Sequence, residues 1–349
     1  MALQLSVLDL VPVSSGMTAG RALQNTLDLA RRADALGYTR YWLAEHHNMS
    51  GIAGSSPEIL IGQVARETAR MRVGSGGIML PNHAPLKVAE AFLTLEALFP
   101  QRIDLGIGRA AGTDPRTASA LRRSASGTGG DDLPGQLDDL FAFAGGGFGE
   151  NHPFRPVSAV PAGVPLPPVW LLGSSDFSAR LAGQRGLGFV FAHHINPDGA
   201  GEAMRLYREN FSPSEHLGVP QAIITASVLC AETAEQAEAL APTLDLAWLR
   251  LRRGSPAPFP TPEEGRAYPY TFSDRMQVRD TRRRLILGDP QGVRAQICRL
   301  SSETDADEVM VTTITHGHAE RVRSYELLAQ AFDLPAQAFE SASLPTSAS

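Results

Sequence analysis

The chain has 349 residues, of which 43% are hydrophobic and 19% charged, an ordinary globular composition with enough length to bury a large core. Its formal net charge is −6, and the absence of a basic block argues against nucleic acid as the main partner. The two cysteines, Cys230 and Cys298, are too few for a disulfide framework. No apolar run reaches the ~20 residues that span a bilayer. We therefore expect a cytoplasmic protein with neither nucleic-acid nor membrane partners.

Amphipathic helices alternate with short β-rich runs along most of the chain. The first helix is predicted over 21–36, where Leu23, Leu27 and Ala30 recur at helical spacing and Gly37 follows the last turn. Strand candidates lie near residues 3, 40, 73, 103, 168, 189, 223 and 308, the third of them running over 72–80. Parallel neighbours need a crossover helix, so this alternation predicts a parallel sheet. Eight repeats favour a closed (β/α)8 TIM barrel over an open doubly wound sheet.

Two segments interrupt the alternation. Residues 110–167 contain glycine-rich stretches and a proline-rich run, and residues 253–288 are rich in proline, arginine and tyrosine. Long irregular segments inside a compact domain are usually functional lids or disordered loops. We therefore predict a single barrel domain over 1–334 with these two insertions, followed by a small, polar and flexible C-terminal tail over 335–349.

Histidines follow two of the predicted strands. In a barrel of this kind the functional side chains follow the carboxyl ends of the strands. Glu45, His46 and His47 follow the second strand candidate, and His193 and His194 follow the sixth. A histidine there is suited to general acid–base work near neutral pH, and a hydrogen-bonded loop histidine is the competing interpretation. Adjacent histidines on a strand point to opposite faces, which disfavours a shared metal ion and with it a metal-dependent hydrolase.

Glycines and serines mark a second kind of candidate site. Gly76 and Gly77 lie within the third strand candidate, where glycine indicates a bulge or a close approach, so a flat ligand and simple packing are both open. Arg109 follows the fourth strand, and Ser174 and Ser175 follow the fifth at the start of a helix. An arginine and a helix N-terminus on neighbouring loops can together hold a phosphate. Capping of that helix by the serines is the competing interpretation.

Five segments, in this order, resemble the bacterial luciferase-like monooxygenase family, in its FMN-type branch. They are 41–47 (YWLAEHH), 73–83 (VGSGGIMLPNH), 102–109 (RIDLGIGR), 171–175 (LLGSS) and 287–290 (LGDP). The resemblance covers about residues 1–330 and implies a (β/α)8 barrel that uses reduced flavin.

The resemblance also implies roles for individual residues. It places His46 beside the flavin, where it assists proton transfer, with Glu45 orienting the site. It implies a bulge, often with a non-proline cis bond, at Gly76-Gly77 against the flavin ring. It assigns the FMN phosphate to Arg109, Ser174, Ser175 and Ser178, and the substrate pocket to His47, His193 and His194. The segment 253–288 is then expected to be a mobile insertion that closes over the site.

The leading hypothesis is a monooxygenase that uses FMNH2 and O2 to oxidise a small organic substrate. A separate NAD(P)H:flavin reductase is expected to supply the FMNH2, since no dinucleotide-binding glycine fingerprint follows a strand. Two alternatives stay open: an F420-dependent hydride-transfer oxidoreductase on the same barrel, and a non-catalytic flavin-binding protein. The resemblance further implies a homodimer, and the spacing of the histidines predicts no metal site.

Overall fold

The computed structural model describes residues 3–121 and 132–336. The strands are β1 (Gln4–Asp9), β2 (Arg40–Leu43), β3 (Arg72–Ser75), β4 (Ile78–Met79), β5 (Ile103–Gly108), β6 (Val169–Gly173), β7 (Gly188–Ala192), β8 (Ala222–Cys230), β9 (Leu285–Gly288) and β10 (Glu308–Thr312). The helices are α1 (Ala19–Leu36), α2 (Pro57–Glu67), α3 (Pro85–Leu98), α4 (Pro115–Leu121), α5 (Leu133–Phe141), α6 (Asp176–Gln184), α7 (Ala200–Glu209), α8 (Ala234–Leu240), α9 (Pro242–Arg252), α10 (Pro262–Ala267), α11 (Phe272–Arg282), α12 (Pro290–Thr304) and α13 (His318–Ala331).

Eight parallel strands close into a barrel with helices around it, which confirms the predicted (β/α)8 TIM barrel. The strands pair in the order β1, β2, β3, β5, β6, β7 and β8, and β10 closes the ring by pairing with both β8 and β1. In the closing ladders Glu308 lies opposite Gln4 on one side and Ile223 on the other. Each predicted strand position corresponds to one of the barrel strands.

Two parts of the sheet differ from the sequence prediction. The strand expected over 72–80 is divided into β3 and β4, with the cis peptide Gly76–Gly77 between them. The segment 253–288 is not irregular, because it contains α10, α11 and the strand β9, which extends beside the end of β8. Both helices begin with a capping box, in which Thr261 pairs with Glu264 and Thr271 with Asp274. A capping box is a sequence pattern typical of the start of a helix, so both helices could have been predicted despite the proline content of the segment.

The amino-terminal end of the barrel is filled by charged and aromatic side chains. Alternation along the strands sends every second residue inward. Arg40 donates to Asp104 at 2.7 Å and to Glu308 at 3.0 Å. Above this layer Trp42 donates its indole N–H to Asp104 at 3.1 Å and packs edge-on against Trp170, with ring centroids 5.9 Å apart. This end is therefore closed, and a ligand enters from the carboxyl ends of the strands.

The remaining segments are described in part. The insertion 110–167 contains α4 and α5, and its glycine-rich stretch 127–130 lies outside the described residues. All but the first two residues of the predicted tail over 335–349 also lie outside them. Within the described ranges, no helix combines the length and apolar character needed to cross a bilayer.

Candidate active site

A cavity of about 260 Å³ opens at the carboxyl ends of the barrel strands. Its wall is built mainly from residues that strand alternation directs inward: Leu8, Leu10, Ala44, His46, Gly76, Gly108, Leu172, Val190, Ala192, His194, Thr225, Ser227, Thr312 and Ile314. Its floor is apolar, because Leu8 and Val190 belong to the same buried cluster as Trp42 and Trp170. A ligand in this cavity contacts side chains from most of the barrel strands.

His46 faces the cavity just beyond the end of β2. Its backbone N–H donates to the Gly54 carbonyl at 2.9 Å, whereas its Nδ1 is buried without a hydrogen-bond partner among the described residues. Burial lowers the pKa of His46 to about 4, although the neighbouring Glu45 carboxylate acts in the opposite direction. The imidazole is therefore neutral at pH 7 and offers one donor and one acceptor nitrogen to a group placed beside it.

Glu45 points away from the cavity and organises the loops around it. Its fully buried carboxylate accepts hydrogen bonds from the Met79 N–H at 2.8 Å, the Asn82 amide at 3.2 Å, and Nε2 of His47 and His83 at 2.8 and 3.0 Å. Burial alone would raise the pKa of Glu45, but the bonds from His83, His47 and Met79 outweigh it and lower the pKa to about 2. A permanently ionised, fully bonded carboxylate does not exchange protons near pH 7. The geometry makes Glu45 a positioning residue that ties β2 to the segment after β4.

The glycines of the predicted third strand lie where a side chain would not fit. A side chain at Gly74 would lie 2.8 Å from the indole nitrogen of Trp42, so packing requires this glycine. Gly76 lines the cavity. Gly77 lies behind it, where a Cβ would meet the Gly106 carbonyl oxygen at 2.8 Å. The cis bond that the resemblance implies at Gly76–Gly77 is present. Packing applies at all three glycines, since a Cβ at Gly76 would lie 2.5 Å from Cδ1 of Leu8, and Gly76 in addition forms part of the cavity wall.

Two neighbouring loops meet at the exposed end of the cavity. The Arg109 guanidinium lies 4.5 Å above the Phe177 ring, which joins the loop after β5 to the first turn of α6. Ser175 occupies the N-cap position of α6, but its side chain makes no capping hydrogen bond, so the capping interpretation is wrong for it. Asp176 also lies in this first turn and is absent from the cavity lining. The serines that line this end are Ser174, Ser175 and Ser178. A guanidinium, serine hydroxyls and free helix N–H groups together suit a phosphate.

The cavity lining around His194 also contains three residues that the sequence analysis did not single out, Thr225, Leu244 and Trp248. Nδ1 of His194 lies 2.6 Å from the hydroxyl of Thr225, and that hydroxyl also donates to the Phe191 carbonyl at 3.3 Å. Burial lowers the pKa of His194 to about 4, so this imidazole is neutral at pH 7 as well. Leu244 and Trp248 reach the cavity from α9. Continuing the alternation along β8 would have found Thr225, whereas no local pattern marks the two residues of α9.

The predicted site residues fall into two groups by their position relative to the cavity. Those that line the cavity are His46, Gly76, Arg109, Ser174, Ser175, Ser178 and His194. Those absent from its lining are Glu45, Gly77, His47 and His193. Each of the latter is next in sequence to a lining residue and lies just beyond a strand end or, for Gly77, between β3 and β4. The structure does not bring His47 and His193 into the cavity lining with their neighbours, and Nε2 of His47 instead bonds the Glu45 carboxylate. Among the described residues, including those of the site, no group of three His, Cys, Asp or Glu side chains is arranged to hold a metal ion.

Comparison with known proteins identifies the family of this chain. A family model described as luciferase-like monooxygenase matches residues 3–308. The chain belongs to the luciferase-like monooxygenase family. Among its relatives in that family, the uncharacterized protein YvbT of Bacillus subtilis is 46% identical over 327 residues, covering 93% of this chain and 95% of its own. A luciferase-like monooxygenase of Escherichia coli K12 is 44% identical over 322 residues, covering 92% of this chain and 95% of its own.

Solved structures share the luciferase-like barrel. Apo-MsnO8 matches with a TM-score of 0.87 at 38% identity, over 96% of this chain and 99% of its own. An FMN complex of the oxygenating constituent of 3,6-diketocamphane monooxygenase from Pseudomonas putida matches at 0.70 and 20% identity, over 95% and 98%. An F420-dependent secondary alcohol dehydrogenase matches at 0.68 and 13% identity, over 95% and 99%. At these lower identities the likeness concerns the fold alone, and the fold is compatible with either cofactor.

Proposed function

We propose that this protein is a monooxygenase that uses reduced FMN, supplied by a separate NAD(P)H:flavin reductase, and O2 to oxidise a small organic substrate. The observation that carries the proposal is that His46, Gly76 and Arg109 line a single cavity. Family membership supports the monooxygenase class. A relative named N-acetyl-S-alkylcysteine monooxygenase, from Bacillus subtilis, is 32% identical over 331 residues, covering 94% of this chain and 98% of its own.

The groups around the cavity fit the parts of FMN. At the exposed end, Arg109, the serine hydroxyls and the N–H groups of α6 suit the phosphate. Deeper in the barrel, Gly76 and the apolar floor suit a planar ring. The buried Nδ1 of His46 has no partner among the described residues and gains one from the polar edge of a ring placed beside it. Reduced FMN, when bound, supplies the electrons that activate O2.

The protein's own contribution is to hold a proton, fix geometry and exclude water. Burial lowers the pKa of His46 to about 4, so at pH 7 one ring nitrogen is unprotonated and can accept a proton from a reacting group and return it. The hydrogen bonds from Met79, Asn82 and His83 to Glu45 hold β4 and the segment that follows it against the end of β2, next to His46. The apolar walls formed by Leu8, Leu10 and Val190 limit access of water to the reacting atoms.

Isotope incorporation tests this proposal directly. The protein is incubated with FMN, a flavin reductase, NADH and ¹⁸O2, together with a panel of small ketones, aldehydes and thioethers. We expect one ¹⁸O atom in a product, and a kcat about 100-fold lower or more in His46→Ala, the usual contribution of general acid–base catalysis. Tight binding of F420 in place of FMN would favour hydride transfer. Tight FMN binding with no labelled product across the panel would favour a non-catalytic flavin-binding protein.

A further inference from the structure

A second and smaller cavity of about 110 Å³ adjoins the one described above, and we call it the side chamber. The two cavities share Leu10, His46, Trp248 and Ile314 in their walls. The rest of the side chamber is apolar and includes Ile52, Leu251 and Phe259. Of the described residues that line it, none is charged, and His46 is its one titratable group. The imidazole therefore stands at the junction between the two spaces.

We propose that the side chamber binds the substrate, and that the substrate is a small, uncharged and mainly apolar compound with a single hydrogen-bonding group. This inference rests on the proposed function. Burying a carboxylate or an ammonium without an opposite charge is strongly unfavourable, and the chamber offers no opposite charge. Its neutral imidazole can make one hydrogen bond to an uncharged polar atom. The apolar body of the substrate then lies in the chamber, and its polar atom lies beside His46.

The size of the chamber limits the substrate. An apolar protein cavity of about 150 Å³ binds benzene, so about 110 Å³ accommodates an apolar group of about four or five carbon atoms. Larger substrates must leave part of their length in the neighbouring cavity, which the proposed function gives to FMN.

The roof of the side chamber is held in place by backbone hydrogen bonds. The Phe259 N–H donates to the Val13 carbonyl at 2.9 Å, and the Ser15 N–H donates to the Phe259 carbonyl at 2.8 Å. A Cβ at Gly51 would lie 2.6 Å from the Ala257 carbonyl oxygen, so two chain segments meet there without a gap. The segment 256–259 therefore forms a wall of the side chamber, and this wall is paired with residues 13–15.

A matched pair of probes tests the substrate class. Cyclopentyl methyl ketone and cyclopentanecarboxylate have the same number of non-hydrogen atoms, and they differ in charge. Isothermal titration of the FMN-loaded protein with each probe is expected to show at least tenfold tighter binding of the ketone. Equal or tighter binding of the carboxylate would overturn the inference. Failure of the wild-type protein to bind FMN in a prior titration would instead overturn the proposed function.

Two substitutions locate the binding site. Ala247 lines the side chamber and not the larger cavity, so Ala247→Phe is expected to weaken ketone binding at least tenfold while the Kd for FMN changes less than twofold. Ala234→Phe, at an exposed position of α8, is the matched control and is expected to change neither. Leu251→Ala enlarges the chamber and is expected to improve binding of cyclooctyl methyl ketone at least fivefold. Unchanged ketone affinities in both chamber variants would place the probe elsewhere and refute the assignment.

Discussion

Replacing Glu45 by glutamine tests whether its buried carboxylate holds the site together. The carboxylate is fully buried and accepts hydrogen bonds from Met79, Asn82, His47 and His83. A glutamine amide nitrogen cannot accept a bond, so at least one of these donors loses its partner, and the others lose a charged acceptor. Hydrogen bonds to charged groups are worth about 1.5–3 kcal/mol each. The free energy of unfolding of Glu45→Gln is therefore expected to be lower than that of wild type by about 3 kcal/mol or more at pH 7. The pKa gives a similar figure, since the difference between 4.5 and about 2 corresponds to about 3 kcal/mol.

Urea titrations of wild type and Glu45→Gln at several pH values measure this effect. Because the folded-state pKa of Glu45 lies below its ordinary value, its stabilisation is complete above pH 4.5 and is lost as the pH falls towards 2. The variant is therefore expected to be less stable at pH 7, and the difference from wild type is expected to shrink below pH 4.5. Glu303→Gln, at an exposed position of α12, is the control and should change stability by less than about 0.5 kcal/mol. A difference below 1 kcal/mol at pH 7, or one that does not vary with pH, would refute the reasoning.

Three further substitutions probe the site and the barrel floor. Arg109→Ala is expected to raise the Kd for FMN about 10- to 100-fold and leave the Kd for riboflavin, which has no phosphate, unchanged; flavin fluorescence measures both. Because burial lowers the pKa of His46 from 6.5 to about 4, its contribution to stability is complete above pH 6.5 and is lost as the pH falls towards 4. In urea titrations, the free energy of unfolding of wild type is therefore expected to fall by about 3 kcal/mol more than that of His46→Gln between pH 6.5 and pH 4. Asp104→Ala removes one of two carboxylate partners of Arg40 and is expected to lower the free energy of unfolding by about 3–5 kcal/mol.

Each of these expectations has a contradicting result. Equal weakening of FMN and riboflavin in the Arg109 variant would mean that the arginine does not act on the phosphate. If the free energy of unfolding of the His46 variant falls below pH 6.5 as steeply as that of wild type, folding does not lower the pKa of this imidazole. An Asp104 variant as stable as wild type would mean that the charged layer of the barrel does not support the fold.

The barrel was predictable because its signals are local and repeated. Helix periodicity and glycine-terminated helices recur along the chain, and each predicted strand position corresponds to a barrel strand. The site was predictable in part for the same reason. Residues after consecutive parallel strands meet at one end of the barrel, which brings His46 and Arg109 to one cavity.

Features that depend on non-local contacts were not predictable from the sequence. The choice between His46 and His47 depended on the loop after β2, where the His46 N–H bonds the Gly54 carbonyl and His47 bonds the Glu45 carboxylate. Trp248 and Leu251 enter the two cavities from α9, whose helical pattern gives no sign of which face meets the barrel mouth. The homodimer, the reductase partner, the cytoplasmic location and the mobility of 253–288 stay predictions.

A crystal structure of the FMN complex tests the central claim most directly. We expect the phosphate to be held by Arg109 and the first turn of α6. We expect the ring to lie against Gly76, with a polar edge within hydrogen-bond distance of His46. Flavin bound outside the barrel mouth, or bound with its phosphate towards Trp42 and its ring at the surface, would contradict the claim.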